Sequence, residues 1–193
     1  MGRAAEARPL RHAGCAGVEV NAECGKRNAE SVAFVALGGN LGDALASVRE
    51  AMERLATFSA RPQCRSSLWR STPVNCPPGS PDFINAVVAL TPLPRFTPES
   101  LLTELQALER EFGRRPKLVL NEARPLDLDL IAWGGEVRAT PTLTLPHPRA
   151  HLRRFVLQPL SELAPDWVLP GQTQTVAELL AGLRTDEVLA RVP

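Results

Sequence analysis

Asp127 and Asp129 stand two residues apart in the stretch Arg124-Pro125-Leu126-Asp127-Leu128-Asp129-Leu130-Ile131-Ala132-Trp133. Leu126, Leu128 and Leu130 alternate with them, so the stretch reads as a strand with one apolar and one acidic face. Same-face neighbours on a strand lie roughly 7 Å apart, and two carboxylates that close repel each other. A shared divalent cation turns that repulsion into attraction. Mg²⁺ takes one or two carboxylates together with phosphate oxygens. A bare Asp-x-Asp is more often an ordinary half-exposed strand, so the flanking residues decide. Arg114, Arg115, Lys117 and Arg124 precede the pair, and Arg149, Arg153 and Arg154 follow it. Guanidinium forks match phosphate oxygens, and phosphoryl transfer is catalysed mainly by positioning and charge neutralisation. Arginines converging on a carboxylate pair therefore point to phosphoryl chemistry.

Other residues fit such a site less specifically. Gly38-Gly39-Asn40 follows an apolar run and opens a helix, where backbone amides favour anions. No Gly-Lys-Ser/Thr follows, so it is not a P-loop, and it is not Gly-x-Gly-x-x-Gly. A tight strand-to-helix turn explains it as well. His147 lies between Pro146 and Pro148; it could donate to a phosphate or be satisfied by backbone. Phe83 and Asn85 share a strand face. With Phe155 they could hold a flat heterocycle between rings with an amide hook, or they could simply pack in a core.

The elements that must position these groups follow from periodicity. Val32 to Leu37 is a buried strand. Leu45, Val48, Met52 and Leu55 mark a helix with Asp43 at its start. Cys64 to Trp69 and Phe83 to Leu90 are two further strands. Thr97-Pro98 opens a second helix with the stripe Leu101, Leu105, Leu108 and Phe112, closed by Gly113. The Asp-x-Asp strand completes the order β-α-β-β-α-β. That order is an α+β, ferredoxin-like core: an antiparallel sheet with helices on one side, plus C-terminal additions near 156–163 and 175–183. We expect a disordered extension over 1–31, one catalytic domain over 32–171, and a C-terminal helix and tail over 172–193.

Bulk properties narrow the function. Net charge is +1 over 193 residues, so no global field recruits nucleic acid or membrane. Four cysteines without C-x-x-C spacing and three histidines argue against a zinc site or a disulfide framework, and free thiols are expected. No segment approaches the roughly 20 apolar residues that span a bilayer, and no secretory signal is evident. A cytoplasmic monomer is expected.

In order along the chain, several motifs resemble the 6-hydroxymethyl-7,8-dihydropterin pyrophosphokinases of folate biosynthesis. They are Ala36–Asp43, Ser67–Val74, Pro81–Ala86, Glu109–Arg114, Arg124–Leu130, Leu145–Arg149 and Arg153–Leu160. The resemblance implies a ferredoxin-like enzyme that moves a pyrophosphoryl group from ATP to a pterin hydroxymethyl oxygen and releases AMP. It implies two Mg²⁺ ions on Asp127 and Asp129, with Arg114 and Arg124 as catalytic arginines. ATP would be held by Glu109, Arg114, Arg124, His147 and Arg153. The pterin would meet Ser71, Val74, Phe83, Asn85 and Phe155. Two loop features depart from the common pattern. Gly113-Arg114-Arg115-Pro116 stands where many members have Gly-Arg-x-Arg, so Arg115 or Lys117 would have to replace the second arginine. Leu120-Asn121-Glu122-Ala123-Arg124 lacks the aromatic lid found in some members. A different Mg²⁺-dependent nucleotidyl- or phosphotransferase, or a degenerate non-catalytic nucleotide-binding module, are the alternatives.

Overall fold

In the computed structural model, which describes residues 32–115 and 122–193, the apolar run after Val32 becomes the strand around which the fold is built. The expected extension 1–31 and Lys117 lie outside the described residues. Strand β1 (Ala33–Gly39) is followed by helix α1 (Ala44–Leu55), strands β2 (Cys64–Arg65), β3 (Trp69–Ser71) and β4 (Phe83–Leu90), and helix α2 (Pro98–Glu111). Strand β5 (Asp127–Trp133), the short pair β6 (Arg138–Ala139) and β7 (Thr144–Leu145), helices α3 (Arg154–Leu163) and α4 (Val176–Gly182), and strand β8 (Leu189–Arg191) complete the chain. The main sheet runs β5-β1-β4-β3-β8, with β2 also paired to β4, and every pairing is antiparallel.

Local chemistry sets the helix ends. Asp43 caps α1, its carboxylate accepting from the Ala46 amide at 3.0 Å. Thr97 and Ser100 form a reciprocal cap on α2, and Pro98 occupies the first turn, where its missing N–H costs nothing. Gly113, at φ +87°, ends that helix in the left-handed region open to glycine.

Alternation along the central strands splits the core in two. Val35, Leu37, Ile84, Val88, Leu128 and Leu130 pack beneath α1 and α2. Phe34, Val87, Ala89, Ile131 and Ala132 pack on the opposite face with α3 and α4. The first two helices thus share one side, and the C-terminal additions cover the other. Ile131 and Ala132 are consecutive yet serve the same core. A bulge explains this: the register steps from Val35↔Leu130 to Phe34↔Ala132 and leaves Ile131 as the extra residue.

The expected strand from Cys64 to Trp69 is broken. At Ser66 the hydroxyl accepts from the Val87 amide at 2.9 Å, and the Ser67 amide turns away to Glu162 at 2.7 Å. The Ser66 amide still donates to Val87 O at 2.9 Å, but its hydroxyl replaces its carbonyl in the return bond, and regular pairing resumes only at Trp69. Cys76 is a free thiol, whereas Cys64 is disulfide-bonded, which departs from the expectation of free thiols throughout. Strand β8 was not evident in the sequence; its outer position and Arg191 give no alternating apolar signal.

Candidate active site

Helix α3 covers only part of its sheet face. Beyond its N-terminus that face stays open and forms a cavity of about 250 Å³. Ala36 to Gly38 of β1, Phe83 and Asn85 of β4, and Asp127 and Asp129 of β5 form the floor. Ser71, Thr72 and Val74 form one wall, and Arg149, Arg153 and Phe155 the other. Period two in the strands is what brings them together, because Phe83, Asn85, Asp127 and Asp129 all fall on the α3 side.

At the acidic end, Asp127 is held by two arginines. Arg114 Nη1 forms an ion pair with one carboxylate oxygen at 2.6 Å and Arg124 Nη2 with the other at 2.7 Å. Arg153 Nη1 lies 3.6 Å from Asp129, whose side chain is 37% exposed against 15% for Asp127. Asp129 is therefore the carboxylate with oxygens open to a newcomer. It also lines a second recess of about 370 Å³, shared with Gln106, Glu109, Arg110, Arg114 and Arg115 on the α2 side. Glu109 bonds Arg114 and accepts from the Leu128 amide at 2.7 Å. Burial pushes its carboxyl up to about 7, against the pull of that amide and of Arg114.

His147 is fixed by backbone. Its amide donates to Ile131 O at 2.7 Å, and its Nδ1 accepts from the Arg149 amide at 3.2 Å. Burial holds the imidazole below its usual pKa, with Asp129 opposing and Arg153 and Arg149 reinforcing. A neutral ring that accepts at Nδ1 carries its proton on Nε2, a donor for an anion. Burial and Arg149 likewise draw Arg153 below its usual value.

At the other end, Asn85 is 3% exposed, and its Nδ2 donates to Ser71 Oγ at 2.9 Å. The Arg124 guanidinium lies 5.6 Å from the Phe83 ring centroid, and that of Arg153 lies 5.3 Å from Phe155. Each arginine thus borders both an aromatic ring and the carboxylates. Val74 is 42% exposed at the rim.

Of the candidate residues, Ser71, Val74, Phe83, Asn85, Arg124, Asp127, Asp129, Arg153 and Phe155 line the one cavity. Glu109 and Arg114 line the second recess, and His147 lies within the field of both aspartates without lining either space. Arg154 turns away from the cavity, with Nε buried and without a hydrogen-bond partner. The sequence reading missed Asn40. It is 4% exposed; its Nδ2 donates to Pro81 O at 3.1 Å, and its Oδ1 accepts from the Arg124 amide at 2.9 Å. It ties the loop after β3 to the loop before β5. Only its place after two glycines hinted at this. At Gly39 a Cβ would collide with Pro125 O, so the end of β1 also packs closely on the loop before β5.

The profile of the 7,8-dihydro-6-hydroxymethylpterin-pyrophosphokinase family matches residues 34–165. The chain belongs to this family. A 2-amino-4-hydroxy-6-hydroxymethyldihydropteridine pyrophosphokinase of Synechocystis sp. is 40% identical over 77% of this chain and 74% of its own length. That of Haemophilus influenzae is 37% identical over 77% of this chain and 90% of its own. Among solved structures, a crystal structure of HPPK-DHPS in complex with substrates superposes with a TM-score of 0.62 at 10% identity. It shares the fold over 79% of this chain, which spans 43% of that longer chain. The pyrophosphokinase family thus contains the cavity, both aspartates and the arginines around them. The matched segment stops before α4 and β8.

Proposed function

We propose that this chain transfers the pyrophosphoryl group of ATP to the hydroxymethyl oxygen of 6-hydroxymethyl-7,8-dihydropterin, releasing AMP in the folate pathway. One observation carries the reading. A single cavity has an aromatic, amide-bearing end at Phe83, Asn85 and Phe155 and a carboxylate-arginine end at Asp127, Asp129, Arg124 and Arg153.

The donor set suits Mg²⁺ delivered with a nucleotide. Among the described residues no group of three or more His, Cys, Asp or Glu side chains could hold a metal ion. Two carboxylates need further oxygens, and phosphate supplies them. Asp127 and Asp129 would hold two Mg²⁺ ions, whose charge would offset that of the triphosphate. Arg114 and Arg124, freed from Asp127, take phosphate oxygens in bidentate fashion. His147 donates from Nε2, and Glu109 keeps Arg114 in place beside the nucleotide recess.

The pterin lies against Phe83 and Phe155, with the Asn85 amide and the Ser71–Val74 wall reading its polar edge. Its hydroxymethyl oxygen attacks the β-phosphorus. The bond from that phosphorus to the α,β-bridging oxygen breaks, and AMP leaves with that oxygen. Asp129 borders both recesses and is placed to take the hydroxyl proton. Positioning dominates over basicity in such a step. All these groups come from one chain, so a monomer suffices. No helix among the described residues is long and apolar enough to cross a membrane.

Product analysis with MgATP and the pterin tests the proposal. Pterin-dependent AMP without ADP is expected. Pyrophosphate release would instead mean attack at the α-phosphorus, as in a nucleotidyltransferase.

A further inference from the structure

The C-terminal tail joins the cavity from outside the family match, which ends at residue 165. Strand β8 pairs with β3 at Ser71↔Leu189, Arg70↔Ala190 and Trp69↔Arg191. The Thr72 amide donates to Val188 O at 3.2 Å, and the Val188 amide donates to Thr72 Oγ1 at 3.2 Å. Ser71 and Thr72 are cavity wall. One residue earlier, Glu187 is only 6% exposed although it sits in a tail whose neighbours Asp186 and Val188 are exposed.

Its carboxylate lies against the backbone amides of Arg154 and Phe155 and within the fields of Arg154 and Arg153. These amides open α3, whose N-cap, Arg153, provides no side-chain cap of its own. A carboxylate facing that end complements the positive pole of the helix dipole. It is costly to put there. Burial pushes the carboxyl up to about 7, and Glu187 Oε1 is left without a hydrogen-bond partner. A buried, under-satisfied acid on a surface tail calls for a function that repays its cost.

We propose that Glu187 is a positioning residue for the pterin site. It fixes the opening turn of α3, and with it Phe155 and Arg153, against the Ser71–Thr72 wall that the same tail holds from the other side. The two walls of the heterocycle end are thus clamped by three consecutive tail residues, 187–189. The inference rests on the reading of this cavity as the pterin site.

The test compares wild type, Glu187→Ala, Glu187→Gln and Asp186→Ala at pH 8, with KM for pterin, KM for MgATP and kcat measured separately. Pterin-dependent AMP from wild type must come first; its absence would remove the functional reading itself. Given that activity, Glu187→Ala is expected to raise the pterin KM about tenfold, with the MgATP KM and kcat within about twofold. A neutral acceptor bonds roughly half as strongly as a charged one, so Glu187→Gln should raise it about threefold. Asp186, exposed and outside the three clamping residues, serves as control and should change nothing. An unchanged pterin KM in either Glu187 variant overturns the proposal. So does a loss confined to kcat, which is what mere misfolding of part of the sample would give. If Glu187→Ala does not fold, Glu187→Gln alone decides.

Discussion

Replacing Asn40 with alanine should loosen the site without dismantling the fold. The side chain bridges two loops through Pro81 O at 3.1 Å and the Arg124 amide at 2.9 Å. Alanine removes both partners and leaves two backbone groups in a position too buried for water to replace them fully. A buried polar group left unpaired costs about 1–3 kcal/mol, and because both bonds are only part-buried the two together should cost roughly 2–4 kcal/mol. The backbone bonds from Asn40 and Leu41 to Arg124 O, at 3.0 and 3.2 Å, do not involve the side chain and should persist. At about 2–4 °C per kcal/mol for a domain of this size, the melting temperature should fall by roughly 5–15 °C. Arg124, no longer fixed at its amide, should contact Asp127 and phosphate less often, so kcat should fall about tenfold. Urea unfolding gives the first number and pterin-dependent AMP release the second. A variant within about 0.5 kcal/mol of wild type would refute the bridge as a stabilising element. Normal kcat in a destabilised variant would refute its link to Arg124.

Asp129→Ala should lower kcat by about 10²–10³-fold, since it removes the carboxylate open to a cation, while pterin affinity measured by fluorescence stays within about threefold. Turnover close to wild type would end the metal assignment. Asn85→Ala should raise the pterin KM roughly 5- to 100-fold by deleting a buried amide, and leave MgATP binding unchanged in titration calorimetry. Glu187 should make stability depend on pH. Its folded pKa of about 7 exceeds the ordinary 4.5. The protonated acid is therefore favoured by folding, a contribution complete below about pH 4.5 and lost as pH rises through about 7. Glu187→Gln, which cannot ionise, should gain stability relative to wild type between pH 5 and 8, by at most about 3 kcal/mol. Parallel melting curves for the two proteins across that range would show that the acid is not buried in solution.

The acidic strand, the two helix starts and the two faces of β4 were legible because each depends on neighbours in sequence. Capping at Asp43 and Thr97, and alternation in Phe83–Leu90, are local rules that nothing distant overrides. The break at Ser66 was not legible. It depends on Glu162, far along the chain, whose carboxylate takes the Ser67 amide out of the ladder. Nor could periodicity reveal Asn40 as a bridge or Glu187 as a buried acid. Both are polar residues in loops, and their burial is made by segments that meet only in the folded chain. The bulge at Ile131 left its trace as two consecutive apolar residues where alternation called for one.

Among the described residues, strand β5 ends the sheet on one side, pairing only with β1. A free edge offers unpaired amides and carbonyls to any other strand and invites association between molecules. Here two outward groups are already claimed: the Leu128 amide by Glu109 and the Ile131 carbonyl by the amide of His147. Asp129, the more exposed of the two carboxylates, adds negative charge to the same strand. The residues placed for nucleotide chemistry therefore also protect the molecule from its own copies. Substituting them should carry a second penalty, visible as light scattering when the Glu109→Ala or doubly neutralised Asp127/Asp129 protein is warmed.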